Sequence, residues 1–136
     1  MATNNLTPEA DELHTILAKQ RNAFLHDGPP TLEQRRADLK KFKSAMIARR
    51  NEIEEAINTD FGHRSRYESA IVEILGVIEG LKYLSSNLKK FMTPTKRTVA
   101  WHLSFGSARV EYQPLGVVGL ISPWNYPFNL AVLPVV

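Results

Sequence analysis

The sequence predicts an incomplete α/β chain: helices first, then an extended arm, then the first strand of an α/β unit. Three observations predict it. Capped apolar stripes at helical spacing run as far as Thr93-Pro94-Thr95. From Val99 the texture turns β-branched and aromatic, mixed with polar residues. Residues Pro114 to Leu130 then read PLGVVGLISPWNYPFNL, an apolar strand, a Ser-Pro-Trp-Asn loop and a helix-opening proline. The expected organisation is a helical region over 1–98, a strand arm over 99–113, and the start of a ligand-binding domain over 114–136.

The first helix starts with Thr7 as cap and Pro8 in the first helical position. Leu13, Ile16, Leu17 and Phe24 recur at helical spacing, and Asp27-Gly28-Pro29-Pro30 ends it. Thr31 caps a second helix, with Gln34 completing a capping box. Leu32, Leu39, Phe42, Met46, Ile53 and Ile57 form its single apolar stripe. Asn58 to Ser65 reads as a turn containing Asp60-Phe61-Gly62. A third helix carries Ile71, Ile74, Leu75, Ile78, Leu81 and Leu88 on one face. Residues 99–113 read as one or two exposed strands. Residues 116–121 are continuously apolar, as in a strand covered on both faces. Tyr126 to Val136 reads as the start of a buried helix.

Composition removes several functions. The chain has 136 residues, 43% hydrophobic and 23% charged, so it is globular rather than disordered. A net charge of +3 is too small an excess to indicate nucleic acid. Lys89, Lys90, Lys96 and Arg97 read as a solvated helix end and loop. There is no cysteine, which excludes a disulfide framework, a thiolate metal site and a thiol nucleophile within these residues. His14, His26, His63 and His102 lack metal-ligand spacing, so no metal is expected. No secretory signal is visible, the Asn5-Leu6-Thr7 sequon therefore carries no meaning, and a cytoplasmic location is the expectation. Residues 112–136 carry no charge, yet Pro114, Pro123, Pro127 and Pro134 interrupt them, so a membrane span is not expected.

The apolar end at Leu130 to Val136 and the partnerless strand at 116–121 read as features of one piece of a longer protein. The turn from Ile121 to Pro127 is the main candidate site. In open α/β sheets, ligands bind beyond the carboxyl ends of strands. There Trp124 offers a flat apolar wall and Asn125 an amide donor. The competing reading makes Trp124 core and Asn125 the cap of the helix opened by Pro127. Spacing alone leaves both open.

Pro114, Gly116, Val117, Pro123, Trp124, Asn125, Tyr126 and Pro127 match a P-x-G-V-x-x-x-x-x-P-W-N-[FY]-P signature. The chain thereby resembles the N-terminal part of the aldehyde dehydrogenase superfamily. Trp124 to Leu130, and Asp60-Phe61-Gly62-His63-Arg64-Ser65, resemble its class 3 and coniferyl aldehyde dehydrogenase branch. The resemblance runs from about Thr31 onward. It implies an aldehyde dehydrogenase-like fold, with residues 114–136 opening a Rossmann-like cofactor domain. It implies NAD- or NADP-dependent oxidation of an aldehyde, such as coniferyl aldehyde, through a cysteine thiohemiacetal. Asn125 would give its side-chain NH2 to the oxyanion, and Ile121, Ser122, Pro123 and Trp124 would line the cofactor. It also implies strand arms that pair between subunits of a homodimer or homotetramer. The cysteine and the glutamate base have no counterpart among these residues, so the fragment alone is expected to be inactive.

Other signals are weak. Gly116-x-x-Gly119 is not the dinucleotide fingerprint. Ser86-x-x-Lys89 lacks the companion motifs of serine acyl-enzymes and reads as the polar face of a helix. Glu68, Glu73 and Glu79 do not share a face as a carboxylate pair. A non-enzymatic reading stays open beside the enzyme: a module whose helices and strand arm bind a partner by edge addition.

Overall fold

Helix capping chemistry organises the first half of the chain. The computed structural model describes residues 7–136; most of the sequon at Asn5 lies outside them. Helix α1 spans Pro8–Asp27, with the Thr7 hydroxyl accepting the Ala10 N–H. Helix α2 spans Leu32–Ala48 and α3 spans Arg50–Phe61. The capping box forms as read: Gln34 N–H donates to Thr31 Oγ1 at 3.2 Å, and Thr31 N–H donates to Gln34 Oε1 at 2.7 Å. A single turn, α4 (Arg66–Glu68), leads into a π-helical stretch over Ser69–Leu75, and α5 runs Gly76–Met92. Strands β1 (Thr95–Arg97) and β2 (Ala108–Val110) pair antiparallel, Lys96 opposite Arg109, around a 3₁₀ turn at Trp101–Leu103. Helix α6 spans Pro127–Val132.

The chain divides into two compact units. One contains α1 and residues 113–119; within it, Gly116 adopts φ +92, and the Phe24 ring lies 3.5 Å from where a Cβ would stand. The other contains residues 31–112 and 120–136 and holds the hydrophobic core. Leu39 and Met46 of α2 meet Val77 and Leu81 of α5, with Phe128, Val132 and Leu133 packed against them. Val77 and Leu81 are fully buried. Each such side chain is worth about 1.5–3 kcal/mol on burial, which ties α2 to α5.

Six expectations need correction. The second helix is two helices, broken at Arg49 (φ −103, ψ 12), whose N–H is shared by the Ala45 and Met46 carbonyls. No glycine, proline or side-chain cap marks that break, so no local signal announces it. Helix α3 runs on into the expected turn until Gly62, which takes the left-handed conformation and donates to the Asn58 carbonyl. In the third helix, Ile71 and Leu75 face solvent while Ser69 and Glu73 are buried. Wider i→i+5 turns shift the phase of a stripe counted at 3.6 residues per turn. The arm contributes its first strand before Val99, at Thr95–Arg97, where exposed Lys96 and Arg97 carry no apolar alternation to reveal it. Residues 116–121 form no strand. A strand exists only as part of a ladder, and none of the described residues pairs with this run. It is consequently exposed rather than covered: Val118 and Ile121 both face solvent. Helix α6 is likewise half-buried, with no fully buried residue.

Candidate active site

The Ser122–Pro127 turn is shaped by its own prolines and by one hydroxyl. Pro127 occupies the first helical position of α6. Ser122 Oγ donates to the Pro127 carbonyl at 3.0 Å, closing the turn on itself. Asn125 is exposed at its apex, between Trp124 and Tyr126. No side chain of the turn caps α6, so Asn125 is not its cap. Trp124, at 67% exposure, is not core. Both parts of the competing reading are therefore removed. Ile121 is 98% exposed, and Pro123 is exposed beside it. The structure thus brings Ile121, Pro123, Trp124 and Asn125 onto one open surface segment, while Ser122 is turned inward.

What holds this turn comes from sixty residues upstream, and sequence reasoning missed it. Arg64 lies with its guanidinium 4.5 Å from the Phe61 ring centroid and 4.7 Å from that of Tyr126. It is clamped between two aromatic faces, which attract a cation. Its Nη1 donates to Glu73 Oε1 and its Nη2 to Glu68 Oε1, both at 3.2 Å. Glu73 is fully buried. Its other oxygen, Oε2, accepts the Asn129 N–H at 2.8 Å. That N–H belongs to the first turn of α6, where backbone donors have no partner inside the helix. A carboxylate at this end also opposes the helix dipole favourably. The Asn129 amide returns the contact, with Nδ2 donating to the Val72 carbonyl at 2.6 Å.

Two further contacts complete the support. Phe61 stacks on Trp124, ring centroids 6.3 Å apart and 24° from parallel. Gly76 and Gly80 of α5 leave room for α6: a Cβ on Gly76 would lie 2.9 Å from Asn129 Nδ2, and one on Gly80 would overlap the Leu133 side chain. The π-helical stretch is the local device that lets this happen. It turns Glu73 inward, and Val72 within it supplies the carbonyl that Asn129 binds. The signal available in the sequence was a lone glutamate in an apolar run, Ile71-Val72-Glu73-Ile74-Leu75. Such a residue, once buried, needs a cation or hydrogen-bond donors, and Arg64 was the nearest upstream arginine outside a helix.

The comparison with known proteins decides the family. The model of the aldehyde dehydrogenase family matches residues 7–136. The chain belongs to the aldehyde dehydrogenase family. It is 39% identical over 126 residues to a probable coniferyl aldehyde dehydrogenase of Pseudomonas aeruginosa, covering 93% of this chain and 26% of that protein. It is 39% identical over 135 residues to a probable coniferyl aldehyde dehydrogenase of Caulobacter vibrioides, covering 96% of this chain and 28% of that protein. A family 3 aldehyde dehydrogenase of Dictyostelium discoideum is 31% identical over 124 residues, covering 91% and 26% respectively. The chain therefore spans little more than a quarter of the length of these relatives. Within the family match the fold is mostly helical with one two-stranded ribbon, consistent with an N-terminal portion of the family domain. The match extends back to Thr7, earlier than the resemblance read from motifs. No helix among the described residues is long and apolar enough to cross a membrane.

Proposed function

We propose that these residues are the N-terminal part of an NAD(P)-dependent aldehyde dehydrogenase that oxidises an aldehyde to the carboxylic acid. The observation that carries the reading is Asn125, an exposed amide at the apex of a braced turn within a family-wide match. An oxyanion donor must be reachable by substrate yet fixed in place, since only contacts that strengthen in the transition state raise kcat. Asn125 satisfies the first condition by exposure and the second through its two ring-held neighbours.

The donor chemistry of Ile121 to Trp124 suits the cofactor: an open apolar shelf for a flat ring, with the Ile121 backbone as a polar contact. When bound, the nicotinamide supplies the hydride acceptor. Asn125 directs its NH2 at the carbonyl oxygen as negative charge develops there. The cysteine nucleophile and the glutamate that activates water are assigned to residues outside this sequence, and these residues alone are catalytically silent.

The coniferyl aldehyde dehydrogenases among the relatives favour an aromatic aldehyde such as coniferyl aldehyde. The β1–β2 arm, exposed except at half-buried Thr95, is the element assigned to subunit pairing in a homodimer or homotetramer. The features that raised the alternative of a binding module, helices and a strand arm, all lie within the family match. The test is direct. The whole enzyme is assayed with coniferyl aldehyde and with a short aliphatic aldehyde, with NAD and with NADP, following nicotinamide reduction. Faster turnover of coniferyl aldehyde supports the reading. No turnover of either aldehyde with either nucleotide overturns it.

A further inference from the structure

We propose that Arg64 and Glu73 are positioning residues for the oxyanion turn, setting where Asn125 places its amide. The inference rests on the reading of Asn125 as oxyanion donor. Asn125 makes no hydrogen bond of its own among the described residues, so its position is inherited from its neighbours. On one side Trp124 is stacked on Phe61; on the other Tyr126 lies against the Arg64 guanidinium. Phe61 and Arg64 also contact each other, at 4.5 Å, so the two supports are one unit.

Arg64 has little freedom to move. Both terminal nitrogens are engaged by carboxylates, and its side chain is only 7% exposed. Glu73 then ties this guanidinium to the backbone of α6 at Asn129. One buried carboxylate thus fixes both the ring before α6 and the first turn of α6. The turn carrying Asn125 is held at Trp124, Tyr126 and Asn129, and open only at its apex. A misplacement of about 1 Å in such a group can cost on the order of 100-fold in rate, and supporting residues must hold a site within about 0.5 Å.

A guanidinium is needed rather than any cation. Its plane covers two rings while its edge serves two carboxylates, which an ammonium cannot do. Arg64→Lys therefore keeps the charge beside Glu73 and loses the flat contact with Tyr126. The experiment is a double-mutant cycle in the whole enzyme: parent, Arg64→Lys, Asn125→Ala, and both together. For each, kcat and KM for one aldehyde are measured with a thermal melt and a check of subunit assembly. Arg64→Lys is expected to lower kcat by about 10- to 100-fold with little change in KM. In the Asn125→Ala background the same change is expected to have almost no further effect, because its route to the reaction is gone.

An equal loss in both backgrounds shows that Arg64 acts by another route, and overturns the proposal. So does an unchanged kcat in Arg64→Lys. Should Asn125→Ala alone retain the parent rate, the oxyanion reading itself fails, which is visible separately in that single variant. If Arg64→Lys does not fold, Glu73→Gln enters the cycle in its place. It keeps the shape and an acceptor for the Asn129 N–H while removing the charge that orients Arg64. An additive Glu73→Gln effect overturns the proposal in the same way.

Discussion

The buried carboxylate of Glu73 accepts the backbone N–H of Asn129 at 2.8 Å, joining positions 56 residues apart in the chain. Through Arg64 the same carboxylate reaches Tyr126, beside Asn125. Stability and the proposed chemistry are therefore linked at one side chain.

Removing that carboxylate strips the buried guanidinium of its buried partner, leaving only half-exposed Glu68 on Nη2, and leaves a helix-end donor unpaired. Glu73→Ala is expected to destabilise the protein by about 3–5 kcal/mol, as for one partner of a buried ion pair. Denaturant unfolding of the whole enzyme reads this loss. A change under about 1 kcal/mol, the size of a surface pair, shows that the brace is not structural.

Asn125 is exposed and makes no contact that packing depends on. Asn125→Ala is expected to leave the melting temperature unchanged. It is expected to remove about 2.7–4 kcal/mol of transition-state stabilisation, the size of one lost oxyanion donor. Steady-state kinetics of the whole enzyme test it, and a near-normal kcat removes Asn125 from the mechanism.

Gly62 ends α3 with φ +72, and nothing lies within 4 Å of where its Cβ would stand. The cost of Gly62→Ala is thus backbone strain alone, about 1–2 kcal/mol for a left-handed L-residue. Gly62→Asn is expected to cost less, because asparagine tolerates this region. Equal stability of all three by chemical denaturation contradicts the assignment.

The capping box at Thr31 predicts a loss of about 1 kcal/mol for Thr31→Ala. The donor left behind is the Gln34 N–H. Thr31→Asp restores an acceptor and is expected to recover most of the loss in the same unfolding assay.

At α1, Glu9 is held below its usual 4.5, first by its own backbone N–H and then by the Thr7 hydroxyl. A lowered folded-state value means the carboxylate steadies the helix start above about pH 4.5. That contribution disappears as pH falls through the lowered value. Titration of the Glu9 carboxyl by NMR should show the lowered midpoint, and Thr7→Ala should raise it part of the way back. A midpoint indifferent to Thr7 rules out the hydroxyl as a cause.

Local chemistry was sufficient where it is self-contained. Thr7, Thr31 with Gln34, Gly28 and Pro127 each specify an element end through contacts a few residues away, and the structure shows them. The Pro-Trp-Asn turn was legible for the same reason, since the contact between Ser122 and Pro127 that closes it is local. Elements that depend on a distant partner were not. The break at Arg49 carries no cap, the π-helical stretch obeys no 3.6 period, and the apolar run at 116–121 is a strand only beside another strand.

By itself, then, the sequence determined the helix boundaries set by caps, the family, and which amide stands at the turn. Only the tertiary structure decided what holds that amide. The pairing of Arg64 with Glu73, and of Glu73 with Asn129, depends on three segments meeting. No periodicity or spacing encodes such a meeting, because its stabilisation exists only once burial has removed the competing water.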